Sequence, residues 1–124
     1  MTKKTDLAYI EDMLESAQLI INWFPNPKEI YHLADTSKDF NALVRRIQII
    51  GEVSKRISSV TKDRLSTIDW KAISGTRDVL VHNYDEINYE ILVNIVEKEL
   101  PKLINELKQL RNVLEDEYYA DISV

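Results

Sequence analysis

Only two glycines and three prolines interrupt a chain of 124 residues, and between them apolar side chains return every third or fourth position. With so few breakers and no sustained alternation of apolar and polar residues, the chain is restricted to helix. Leu7, Ile10, Leu14, Ala17, Ile21 and Phe24 form a first stripe that stops at Pro25, a helix of about five turns. Asn26-Pro27-Lys28-Glu29 reads as a second, short start, with Asn as N-cap and Pro in the first turn. A third helix begins near Ser37 and presents Phe40, Leu43, Val44, Ile47, Ile50, Val53 and Ile57 on one side. Gly51 interrupts it at about 1 kcal/mol relative to Ala, a sign of another helix passing close.

Thr61 to Thr67 is polar and reads as a loop. Ser66-Thr67-Ile68-Asp69 has the form of a capping box leading into a helix with Trp70, Ile73, Leu80 and Val81, expected to end around Tyr84. Asn88 then caps a last helix whose apolar contacts run from Ile91 to Leu114, with Pro101 inside the pattern to kink it or split it. The expectation is an all-α, antiparallel helical bundle of four to five main helices, its last helix kinked at Pro101, in one domain spanning residues 1–124.

Composition excludes several classes. A 44% hydrophobic and 30% charged chain is that of a soluble protein, and its apolar runs are too short to span a bilayer, so no membrane association is expected. MTKKTDLAYI lacks the apolar core of an export signal, and with no cysteine there is no disulfide, thiolate metal site or thiol nucleophile; a reducing cytoplasm fits both. The net charge of −5 argues against holding nucleic acid by bulk attraction, so any RNA or DNA role needs a local groove.

One stretch concentrates chemistry. RDVLVHNY, Arg77 to Tyr84, follows Gly75 and holds one of the chain's two histidines. On a helix, Asp78 and His82 lie within ~40° of one another, so the acid can fix the imidazole tautomer and leave the other ring nitrogen free for proton transfer. Arg77 and His82 would point ~140° apart, so bringing both to one phosphate needs an unwound helix end or a second copy of the chain across a symmetric interface. In a dimer cleft this set suits phosphodiester cleavage in RNA without a metal or cofactor: histidine moves the proton and guanidinium holds the phosphate as charge builds. On spacing alone, such a cluster is more often a solvated or salt-bridged helix end than a catalytic one.

The segment from Asn41 to Leu107 resembles the HepT-like branch of the HEPN domain superfamily. RDVLVHNY matches its R-x4-H-x-Y signature, and RRIQIIGEVSKR, IDWKAISGTRD and INYEILVNIVEKELPKL follow in the family's order and spacing. The resemblance implies a dimeric helical bundle with the two motif helices at a shared cleft, acting as a metal-independent ribonuclease. It further implies the toxin half of a toxin–antitoxin module, neutralised when a minimal nucleotidyltransferase (MNT) antitoxin transfers AMP to the motif tyrosine. Carried over, Arg77 and His82 form the catalytic pair, Asp78 and Asn83 are their motif neighbours, and Tyr84 accepts AMP. Arg45 and Glu52 are supporting residues, seven apart on one helix face, either as an ion pair fixing helix packing or the dimer or as a direct part of catalysis. A reading from a different class is a non-catalytic nucleotide-binding or docking partner of a nucleotidyltransferase, which the acidic charge favours.

Other features read as structural. His32 has no companion at ligand spacing and is expected at the surface. Trp23 and Trp70 have helical apolar neighbours and are expected in the core or an interface. Lys55, Arg56, Lys62 and Arg64 are the nearest thing to a basic cluster, a local field if they border the cleft. LEDEYYADISV is expected to be a frayed tail.

Overall fold

The computed structural model describes residues 2–65, 67–75 and 88–122, with side chains from Thr5 onward. Every regular element among the described residues is helical. Helix α1 (Thr2–Trp23) has no internal breaker and ends where Phe24 meets Pro25, because the residue before proline is kept out of helical backbone geometry. Its buried face is Ile10, Met13, Leu14, Ala17 and Ile20; the expected Leu7 and Ile21 pack at the edge of that face.

Asn26 caps a 3₁₀ helix (Pro27–His32), its side chain accepting from the Lys28 N–H at 3.3 Å. Helix α2 (Lys38–Ser54) starts as its sequence foretells, with the Phe40 N–H on Ser37 Oγ at 3.1 Å. The region expected to be a loop opens instead with a short helix α3 (Ser59–Lys62), capped by Ser58, whose Oγ takes the Thr61 N–H at 3.3 Å. Helix α4 comprises residues 70–75. Its start is set by Asp69, which accepts the Ala72 N–H at 3.0 Å, one turn later than a box beginning at Ser66 would place it; Ser66 itself lies outside the described residues.

Asn88 opens α5 (Tyr89–Asn94) by accepting two N–H groups, those of Glu90 at 3.0 Å and Ile91 at 3.3 Å. A π-helical turn (Ile95–Glu99) then leads directly into α6 (Leu100–Ile122). Pro101 does not split the helix. It has no N–H for the Glu97 carbonyl, and its ring crowds that oxygen; the turn before it widens, with the Leu100 N–H reaching back to Ile95. The acidic end expected to fray stays helical to Ile122, and the Tyr118 and Tyr119 rings meet edge-on with centroids 5.5 Å apart.

Helix α1 packs against both α2 and α6. Arg46 reaches Ser16 while Ser58, past the end of α2, reaches Asp6, so the two chain directions oppose. Arg111 meets Glu11 at 3.3 Å, and Glu117 on the last turns of α6 meets Arg64, just beyond α3; α6 therefore also runs against α1. The shared core includes Phe40, Leu43, Leu107, Leu110 and Leu114, each nearly inaccessible to solvent.

A buried polar joint in this frame involves Asp6, 2% exposed. Its carboxylate accepts the Ser58 N–H at 3.2 Å, the Ser58 hydroxyl at 2.6 Å and the Thr61 hydroxyl at 2.5 Å. A buried carboxylate needs such donors to offset its lost hydration, and together they lock α1 to the turn that leads toward α4.

Candidate functional site

The motif RDVLVHNY falls within residues 76–87, outside the described residues, so Arg77, Asp78, His82, Asn83 and Tyr84, and the expected helix end at Tyr84, have no structural account. What the fold does define is where that segment begins and ends. It begins after α4, which α2 holds by a hydroxyl contact: Ser54, fully buried, donates to the Gly51 carbonyl at 2.7 Å and lies 3.2 Å from Ser74 Oγ. It ends at Asn88, fixed as the N-cap of α5. Gly51 is buried in α2, whereas a Cβ on Gly75 would meet nothing within 4 Å among the described residues.

Of the supporting residues, Arg45 Nη1 lies 3.5 Å from Glu52 Oε1, with the arginine side chain 61% exposed. The pair runs along a single helix, so in itself it joins no two helices, and at this exposure it adds little stability. Arg45 and Glu52 lie ~160° around α2 from Ile50 and Ser54, the side that meets the first turn of α4. The pair and the described start of the motif helix thus occupy different sides of α2.

Between α2, α4 and the α5–α6 helix is a cleft of about 420 Å³. Its floor is apolar, with Ile47, Ile50, Ile73 and Leu103, and its polar rim includes Asp69, Glu99, Lys102 and Glu106. Three acids against one lysine make that rim a poor seat for a phosphate. Glu106 Oε2 and Trp70 Nε1 are buried there or nearby without a hydrogen-bond partner among the described residues. Among the described residues no group of three or more His, Asp or Glu side chains is placed to hold a metal ion.

The basic cluster is divided. Lys62 Nζ stands 5.6 Å from the centre of the Trp70 ring and Arg64 is engaged with Glu117, so both serve the frame. Lys55 and Arg56 are exposed directly after Ser54, beside the entry to the motif segment. Trp70 is half-buried and packs on the core, while Trp23, expected in the core or an interface, is 42% exposed; His32 is exposed as expected.

Sequence reasoning missed Asp6, Ser58 and Thr61 as a unit, and the Ser54–Ser74 contact. Their partners are 20 to 55 residues apart, and no local pattern announces such pairs.

An all-helical frame that delivers an R-x4-H-x-Y segment between two anchored ends defines the class, a HEPN-like helical domain. The family model described as "HepT-like: Ribonuclease HepT-like" matches residues 10–118. The chain belongs to the HepT-like ribonuclease family. It is 31% identical over 116 residues to "Putative RNase MJ0127" of Methanocaldococcus jannaschii, covering 94% of this chain and 93% of that protein. It is 34% identical over 110 residues to "Putative RNase TTE0752" of Caldanaerobacter subterraneus subsp. tengcongensis, covering 86% and 95%. To "Probable ribonuclease HepT" of Thermococcus cleftensis it is 30% identical over 109 residues, covering 88% and 98%. No solved structure matches the chain. Among the described residues no helix is long and apolar enough to cross a membrane.

Proposed function

We propose that this chain is a metal-independent endoribonuclease and the toxin of a toxin–antitoxin module, working in the cytoplasm as a homodimer. The observation that carries the reading is the intact R-x4-H-x-Y motif, Arg77 to Tyr84, in a chain that matches the HepT-like family over most of its length. His82, oriented by Asp78, moves the proton of the 2′-hydroxyl or the leaving oxygen, and Arg77 holds the scissile phosphate through two donors. Asn83 lies between histidine and tyrosine in the motif, and Arg45 and Glu52 support the dimer rather than the chemistry.

A cognate minimal nucleotidyltransferase is the antitoxin, and it silences the enzyme by transferring AMP to Tyr84. The added phosphate would compete with RNA for the Arg77 guanidinium. Tyr84→Phe is therefore expected to stay toxic when made together with the antitoxin, while Arg77→Ala is harmless without it. Growth of cells expressing each variant checks this, and a harmless Tyr84→Phe that still cleaves RNA at the wild-type rate would sink the modification step.

The second reading is a non-catalytic partner that docks a nucleotidyltransferase or holds its nucleotide. The net charge of −5 favours it, and the acid-rich rim of the α2–α4–α6 cleft favours docking over holding the nucleotide.

A further inference from the structure

A second cleft, of about 560 Å³, opens where the 3₁₀ helix packs on α5. Asn88, the residue that follows the motif segment, lies on its wall. Tyr31 and Ile91 line it and are 48% and 41% exposed. Tyr31 is held firmly for an exposed aromatic: its neighbour Ile30 is fully buried, and the Tyr89 hydroxyl donates to the Leu33 carbonyl at 2.8 Å. The Tyr89 ring is itself packed on Phe40, centroids 5.5 Å apart. Among the described residues the Tyr31 ring meets no other ring, and neither Lys28 nor Lys98, which line the cleft too, makes an ion pair.

We propose that Tyr31 is a stacking platform for one base of single-stranded RNA, with Asn94 at the base edge and Lys28 and Lys98 at the flanking phosphates. The proposal rests on the ribonuclease reading and names a substrate subsite for it. Splayed single-stranded bases are recognised by stacking on aromatic rings, and asparagine offers a donor and an acceptor to a base edge. Glu90 and Glu97 also border the cleft, so it carries no net charge from these four groups. Bulk attraction cannot be its source of affinity. Stacking does not need net charge, which makes the aromatic ring the residue that counts and predicts a weak salt dependence, no more than two phosphate contacts' worth.

The test compares wild type with Tyr31→Ala, Tyr31→Phe and the double variant Lys28→Ala/Lys98→Ala. Cleavage of a short single-stranded RNA gives KM and kcat, and fluorescence anisotropy with a 2′-O-methyl version, which cannot be cut, gives binding. Tyr31→Ala should raise KM and weaken binding about tenfold, the scale of one lost stack, with kcat nearly unchanged and Tyr31→Phe close to wild type. The lysine variant should weaken binding less and flatten the salt dependence. Unchanged KM and binding in Tyr31→Ala, with wild type cutting RNA, would overturn the subsite and leave the ribonuclease reading standing. Tyr31-dependent binding by a wild-type protein that cuts nothing would support the subsite and sink catalysis. If AMP alone competes as strongly as the oligonucleotide, the cleft is a mononucleotide pocket and the strand proposal falls.

Discussion

Asp6 and Glu52 are both carboxylates that the fold pairs with a partner, yet they sit in opposite physical regimes. Asp6 is 2% exposed and takes three hydrogen bonds from Ser58 and Thr61. Glu52 keeps about a third of its side chain in solvent and faces Arg45 at 3.5 Å. The first belongs to the joint that fixes how α1 meets the turn before α4; the second pairs with an arginine of its own helix at the protein surface. Burial separates a structural acid from a functional candidate, and residue type does not.

The largest expected effect follows from the buried member. Asp6→Ala strands two hydroxyls and an N–H inside the protein and should cost about 3 kcal/mol in urea unfolding; a loss well under 1 kcal/mol would dissolve the contrast. Next comes Ser54→Ala, which removes the hydroxyl shared with Gly51 and Ser74. About 1 kcal/mol is expected, and hydrogen exchange of α4 amides should rise more than that of α1 if this contact anchors the motif helix. The smallest effect belongs to Arg45→Ala, which should change unfolding stability by no more than about 0.5 kcal/mol. A larger loss of stability would show that the pair is structural after all, whereas a shift in the monomer–dimer balance at unchanged stability, read by analytical ultracentrifugation, would sharpen its assignment to the dimer.

The local signals in the sequence were legible where the physics is local. Ser37, Asn26 and Asn88 cap helices in the structure because each needs only a side-chain oxygen and a backbone N–H two or three residues on. The same logic misplaced the start of α4, since Ser66 and Asp69 are both acceptable caps and only tertiary packing chooses between them. Thr61 read as loop because it is polar, but its hydroxyl is spent on Asp6, a partner no window of sequence contains. Met13 and Ile20, fully buried, took places expected for Leu7 and Ile21, a modest rotation of one helix face that depends on where α2 and α6 press. At the candidate site, the motif's identity was legible from residue order alone. Which sides of α2 meet the motif helix and the Arg45–Glu52 pair needed the fold.

The most direct measurement is cleavage of total cellular RNA by the purified, unmodified protein in the presence of a chelator, beside His82→Ala. The account predicts cutting by the wild type and at least a ~100-fold slower reaction in the variant. Intact RNA with both proteins, while intact mass shows no adduct on Tyr84, would contradict it, as would cutting by His82→Ala at the wild-type rate.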